Sequence, residues 1–182
     1  MNEEVLALLA AFARDRIAAE LGKPAGNAAE LHASCNEMGA SFVTLRWRDG
    51  RLQGCIGSLE PRMPLAQDIA KNALAAAFAD PRATPITLAD LDDIDVEVSV
   101  LSPLETIAYD GTEDGARAAL QRGDGVVIEW RHHRGTFLPQ MWEQLETAEA
   151  FLSELKRKAR LPREFWSNDV VLRRYSVAKG RA

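Results

Sequence analysis

Residues 41–57 read SFVTLRWRDGRLQGCIG, two alternating segments on either side of Asp49-Gly50. An Asp-Gly pair so placed is a strong hairpin signal, because tight turns need residues that tolerate positive φ. With those two residues as the loop, partners pair so that their numbers sum to 99: Arg48 with Arg51, Trp47 with Leu52, Arg46 with Gln53, Leu45 with Gly54, Thr44 with Cys55, Val43 with Ile56. This register gathers Val43, Leu45, Trp47, Leu52 and Ile56 on one apolar face. Cys55 falls on the other face, beside Thr44 and diagonal to Arg46.

On the N-terminal side, Val5, Leu8, Leu9, Phe12 and Ile17 follow a helical period that stops at Gly22-Lys23-Pro24, and residues 28–39 read as a short helix holding His32 and Cys35. On the C-terminal side, Pro61 and Pro64 introduce an alanine-rich helix from Leu65 to Ala79, with Leu65, Ile69, Ala73 and Ala76 on one stripe; Asp80-Pro81 ends it. Ile94 to Leu101 alternates as a half-buried strand, with Asp95, Glu97 and Ser99 on its polar face. A helix over 112–122 precedes a second hairpin, Val126–Arg131 and Thr136–Leu138, with His132 to Gly135 as its loop. Helical spacing resumes at Gln140, Thr147 caps a second helix within that run, and a final β segment spans Val170 to Val177 ahead of a frayed tail at 178–182. Strands joined mostly by hairpins, mixed with helices and without βαβ repeats, indicate α+β: a mixed but largely antiparallel sheet flanked by helices, with a smaller second lobe. One domain over 1–182 is expected, its two lobes sharing one core.

The chain has 182 residues, 47% hydrophobic and 27% charged, enough to build its own core without a metal or disulfide staple. A net charge of −5 disfavours nucleic acid or an anionic membrane as the main partner, although it leaves room for a local basic patch. Cys35 and Cys55 are read as free thiols in a reducing compartment. The first residues include Glu3 and Glu4 and lack a basic leader pattern, and no apolar run approaches the ~18 residues of a membrane span, so a cytoplasmic protein is expected.

His132 and His133 are adjacent, which on a strand sends them to opposite faces; His32 and Cys35 supply two ligand types where zinc needs three or four. Folding without metal is therefore expected. No Gly-rich segment opens a helix after a strand, so neither ATP nor NAD is read as a cofactor. The chemistry-bearing stretch is Leu52-Gln53-Gly54-Cys55-Ile56-Gly57. Glycines inside a strand mark a bulge or a close approach. Gly54 and Gly57 would expose the backbone around Cys55, with Arg46 across the hairpin to hold an anion; the packing alternative makes Cys55 a small buried hydrophobe and the glycines a seat for the alanine-rich helix.

This hexamer resembles the Leu-Arg-Gly-Cys-Ile-Gly hallmark of the AMME chromosomal region protein family, whose prokaryotic members are called AmmeMemoRadiSam system protein A. The resemblance continues through Ser41 to Arg46, Asp80-Pro81-Arg82, Pro85-Ile86-Thr87, Val96 to Pro103 and Phe137 to Gln140, in order from about residue 40 to 175. It implies a two-lobed α+β protein of unestablished activity, in a pathway with a Memo-like protein and a radical S-adenosylmethionine enzyme. One position departs: the hallmark arginine is Gln53 here, and Arg46, placed opposite it, is the substitute charge. Two functional readings result. In the first, an enzyme or enzyme subunit takes a small-molecule ligand, with Cys55 as nucleophile or thiol ligand, Glu97 as candidate acid or base, and Arg46, Gln53, Gly54, Gly57, Asp80 and Arg82 around the substrate. In the second, a non-catalytic adaptor uses the same face for docking. The bland alternatives are a solvated Glu97 and a merely local Asp80–Arg82 ion pair.

Overall fold

The computed structural model describes residues 1–24 and 33–182. In chain order the elements are α1 (Glu3–Glu20), β1 (Met38–Gly39), β2 (Ser41–Trp47), β3 (Leu52–Gly57), β4 (Met63–Pro64), α2 (Leu65–Phe78), β5 (Ile94–Leu101), β6 (Glu105–Thr106), α3 (Glu113–Ala119), β7 (Gly125–Trp130), β8 (His133–Phe137), α4 (Ala148–Lys158), β9 (Val171–Tyr175) and β10 (Val177–Arg181). Short 3-10 turns occupy Ala33–Asn36, Leu91–Asp93 and Pro139–Glu143. Strands pair antiparallel, in the orders β1-β4, β10-β5-β2-β3 and β6-β9-β7-β8, so the fold is α+β. Among the described residues no helix is long and apolar enough to cross a membrane.

The chain divides into two units, Met1–Leu101 with Ala178–Ala182, and Ser102–Val177. Each has its own apolar cluster. The first gathers Leu9, Ala13 and Ile17 of α1, Val43 and Leu45 of β2, Ile69, Ala73 and Ala76 of α2, and Val96 and Val98 of β5. The second gathers Val126 and Ile128 of β7, Phe151, Leu152 and Leu155 of α4, Trp142 and Leu172. The hexamer lies wholly in the first unit.

The first hairpin keeps the predicted register from Phe42↔Gly57 through Val43↔Ile56 and Thr44↔Cys55 to Leu45↔Gly54, then shifts by one residue to Arg46↔Leu52. The cause is the turn. Gly50 N–H donates to the Trp47 carbonyl (2.8 Å), Trp47 N–H donates to the Arg51 carbonyl (2.9 Å), and Gly50 has φ +86°, so the loop runs Arg48 to Gly50 rather than stopping at Asp49-Gly50. The extra residue is absorbed at Gln53 as a bulge. Leu52 is thereby moved off the apolar face and is 45% exposed, while Gln53 turns inward and is buried.

Three other expectations change. Residues 178–182 are not frayed: β10 extends the sheet beside β5, with Val96 and Ala182 exchanging backbone hydrogen bonds at 2.9 and 3.0 Å, and Gly180 is buried against Leu6 of α1. His133 to Gly135 belong to β8, leaving Arg131 and His132 as the turn of the second hairpin. Cys35 lies in the Ala33–Asn36 turn and Met38–Gly39 is a strand, so no helix runs to residue 39; residues 28–32, including His32, lie outside the described residues. Thr147 caps α4 as expected, and Asn2 and Thr112 likewise accept a backbone N–H from the first turn of α1 and α3.

Gly54 fixes how closely α2 rests on β3, since a Cβ there would lie 2.2 Å from the Ala76 carbonyl oxygen, a backbone atom unable to step aside. Gly54→Ala is expected to destabilise the protein by about 1–3 kcal/mol through overpacking, lowering Tm by several degrees. Ala66→Gly, on a half-buried helical position, serves as a comparison with a loss of about 1 kcal/mol from helix propensity alone. Urea denaturation of both variants checks this.

Candidate functional site

The hexamer strand β3 is an edge of its sheet, and an edge strand presents unpaired backbone groups. At Cys55 these are covered by two side chains from the segment after α2. Cys55 N–H donates to Asp80 Oδ2 (2.9 Å), and Arg82 Nη2 donates to the Cys55 carbonyl (2.9 Å). Asp80 also accepts from Arg82 N–H (3.0 Å), Arg82 Nε (2.9 Å) and Arg82 Nη2 (2.7 Å). Asp-Pro-Arg is thus more than a local ion pair: it substitutes for a neighbouring strand. The Arg82 guanidinium beside Asp80 holds its carboxyl well below the usual carboxylate range; burial opposes this, and the Cys55 and Arg82 N–H groups assist it.

Because the Cys55 backbone faces Asp80 and Arg82, Thr44 and Cys55 form a non-hydrogen-bonded pair, where cross-strand side chains come closest. Thr44 Oγ1 and Cys55 Sγ are hydrogen bonded at 3.1 Å. Thr44 also pairs with Glu97 on β5, so Cys55, Thr44 and Glu97 form one row across the outer face. Beyond it, Glu97 accepts Arg181 (2.7 Å) and Lys179 (3.2 Å) of β10, the segment expected to be frayed. Burial raises the Glu97 pKa, but hydrogen bonds from Arg181 and Lys179 outweigh it and the net shift is downward. Glu97 is therefore an ion-paired carboxylate, suited to anchoring Arg181 rather than donating a proton. A cleft of about 200 Å³ opens on this face, lined by Thr44, Arg46, Arg48, Asp95, Glu97 and Arg181 among others.

The remaining sequence candidates divide. Arg46 lies in the cleft, opposite Leu52, and its Nη1 donates to the Gly50 carbonyl (3.2 Å); the cation bonded to the Cys55 main chain is Arg82. Gln53 is a buried strut, accepting Trp47 Nε1 (3.0 Å) and donating to the Thr84 carbonyl (2.6 Å), and is not the cross-strand partner of Arg46 that the sequence register made it. Gly54 is covered by α2, and Gly57 by the Phe42 ring, whose atoms lie 2.3 Å from where a Cβ would be. Neither glycine opens the backbone to a ligand. Cys35 is buried and Cys55 is half-buried.

A buried polar cluster beside the hexamer escaped the sequence reading. Asp68 Oδ2 accepts Ser41 N–H (2.8 Å), Ser41 Oγ (2.7 Å) and Asn72 Nδ2 (2.9 Å), and its Oδ1 accepts the Ser58 hydroxyl. The available signal was two polar residues one turn apart on the otherwise apolar stripe of α2. Among the described residues no group of three or more His, Cys, Asp or Glu is placed to hold a metal ion.

The AMMECR1 family model matches residues 10–179. The chain belongs to the AMMECR1 family. A relative from Methanocaldococcus jannaschii, Protein MJ0810, is 39% identical over 137 residues, covering 72% of this chain and 66% of its own length, just under two thirds. A Thermotoga maritima relative is 41% identical over 140 residues, covering 76% and 75%. The crystal structure of the uncharacterised protein PH0010 from Pyrococcus horikoshii superposes with a TM-score of 0.82 at 31% identity, covering 98% of this chain and 92% of that one. Membership of the AMMECR1 family establishes the fold and leaves its chemistry to be read from residues such as those of the Cys55 row.

The Asp80 side chain is 1% exposed and Arg82 is 59% exposed, so the carboxylate carries the greater burden when the pair is broken. Asp80→Asn is expected to lower stability at pH 7 by about 1–3 kcal/mol. Since the folded carboxyl is depressed, its contribution is present above the unfolded pKa of about 3.9 and is lost as pH falls towards the folded value. The gap between wild type and variant in urea titrations should therefore narrow from about pH 4 to pH 2.

Proposed function

We propose that the outer face of the β10-β5-β2-β3 sheet is a binding site for a small anionic substrate, and that this AMMECR1 protein acts as an enzyme or enzyme subunit with Cys55 as its reactive or ligating thiol. The observation that carries this reading is Thr44, which both lines the cleft and hydrogen bonds Cys55 Sγ, so occupancy of the cleft reaches the thiol through one hydroxyl. Arg46 supplies the anion's partner: among the described residues it has no carboxylate within ion-pair distance, whereas Arg181 is engaged by Glu97 and Arg48 by Asp93. Asp80 and Arg82 position the strand from the opposite side. Work in a pathway with a Memo-like protein and a radical S-adenosylmethionine enzyme is part of the proposal, on the strength of the hexamer resemblance.

A second reading, a non-catalytic docking module, is favoured by one observation. The cleft volume of about 200 Å³ lies below the ~300–1,000 Å³ usual for organic ligands, and it suits a single anionic side chain of a partner. Iodoacetamide labelling at pH 7, read for each cysteine by mass spectrometry with and without inorganic phosphate, separates the two. Cys55 is expected to label ahead of buried Cys35, phosphate to slow it, and Arg46→Ala to weaken phosphate about tenfold, the loss of roughly 1.4 kcal/mol from one charge-assisted contact. Labelling of Cys55 that ignores phosphate while Arg46→Ala leaves its rate unmoved removes the catalytic reading and leaves docking.

A further inference from the structure

In the second unit, Arg131 (φ +52°) and Arg160 (φ +60°) are the non-glycine residues with positive φ among those described. Both occupy positions where glycine is conformationally cheaper. Arg131 is the first of two turn residues between β7 and β8, and Arg160 follows the C-cap of α4 in a Schellman arrangement, with Leu161 N–H donating to the Lys156 carbonyl (2.9 Å) and Arg160 N–H to the Arg157 carbonyl (3.0 Å). The two sites adjoin. His133 Nδ1–H donates to the Ala159 carbonyl (3.0 Å), a proton placement fixed by the carbonyl being an acceptor only, and a Cβ on Gly135 would lie 2.8 Å from Ala159 N. The turn and the helix end therefore present Arg131, His132, Lys158 and Arg160 together, all exposed.

Lys158 Nζ lies 5.2 Å from the centre of the Phe137 ring, and among the described residues Arg131, Lys158 and Arg160 have no carboxylate within ion-pair distance. Glu129 is engaged by Arg134 and Arg173, and Glu154 by Arg157 and Arg163. The aromatic groups beneath are stacked on one another. Arg131 Cζ sits 4.4 Å over the Trp130 ring, which also packs on His133 (5.8 Å, 26°) and Phe165 (4.5 Å), and the His132 and His133 rings lie 4.4 Å apart. The adjacent histidines thus face each other instead of pointing to opposite sides, since only His133 is in the strand.

We propose that this surface docks an acidic extended segment of a partner polypeptide. An arginine at positive φ is costlier than glycine would be, and a backbone outlier of this kind points to use of the side chain it carries. A nucleic acid fits less well, because the Trp130 faces that would stack a base are occupied and the chain as a whole carries −5. The inference is independent of the cleft beside Cys55.

The full chain and two double variants, Arg131→Gly with Arg160→Gly and Arg131→Asn with Arg160→Asn, are compared for binding to a fluorescein-labelled oligo-glutamate peptide by anisotropy at low salt, with oligo-glutamine and oligo-deoxythymidylate as comparison probes. The expected result is binding of oligo-glutamate over both comparison probes, weakened at least about tenfold in both variants, with Tm unchanged or raised because glycine and asparagine accept positive φ. Absence of oligo-glutamate binding by the wild type, tighter binding of oligo-deoxythymidylate, or variants that bind as wild type does would each overturn the proposal. So would a lowered Tm with unchanged affinity, which assigns the arginines to structure.

Discussion

The close approach of α2 to β3 at Gly54 is the contact on which the first unit is built. With no Cβ at Gly54, the Ala76 carbonyl descends almost onto the strand, and the small residues Ala73, Ala76 and Ala77 let the helix settle along its length. Both ends of the helix are then fixed at useful places. Its first turn brings Asp68 to Ser41 and Ser58, the residues flanking the hairpin's open end, and the chain leaving its last turn brings Asp80 and Arg82 to the edge of β3. Below that edge, Ile86 N–H returns to the Ala77 carbonyl and Thr84 receives Gln53, so the segment after the helix is tied back to helix and strand alike. A side chain at Gly54 would lift α2 and loosen these attachments together.

Capping an edge strand with an ion pair has a chemical consequence as well as a protective one. The Cys55 main chain is bound on both its N–H and its carbonyl, so β-augmentation at this residue is blocked, and the thiol is left with one direction to face, toward Thr44. On the proposed reading, the Thr44 hydroxyl is what would position this thiol against a small ligand. Gly54 and Gly57 are used for packing, on opposite faces of the strand, while Cys55 and Ile56 between them are half-buried.

Much of this was legible in the sequence, and the failures have specific causes. The Asp49-Gly50 loop together with alternation gave the β2–β3 pairing and the position of Cys55 opposite Thr44, since a one-residue slip would part Ile56 from the face that holds Val43 and Leu45. The bulge was hidden because Asp49-Gly50 suits a two-residue loop and also the longer loop with glycine at positive φ; the choice rests on backbone hydrogen bonds at Trp47, which composition does not encode. The role of Asp80-Pro81-Arg82 needed the tertiary fact that its partner is a strand more than twenty residues earlier. The tail failed for a similar reason. Lys179 and Arg181 read as a solvated basic end, whereas their charge is matched by Glu97 on a strand far away in sequence, and Gly180 between them is what lets β10 lie against α1.

The same long-range pairing decides which arginine is available for function. Arginine is common here, and most copies have an acid already in reach: Arg82 with Asp80, Arg117 with Glu113, Arg181 with Glu97. Whatever each pair adds to stability, it also quenches a charge that would otherwise attract a ligand. Where folding leaves a guanidinium without an acid, as at Arg46 in the first unit and at Arg131 and Arg160 in the second, the remaining positive potential is local and directional despite the net charge of −5. Composition therefore disfavours nucleic acid as the general partner, while on the readings proposed above the arginines left without an acid are where anionic groups would be drawn to the surface.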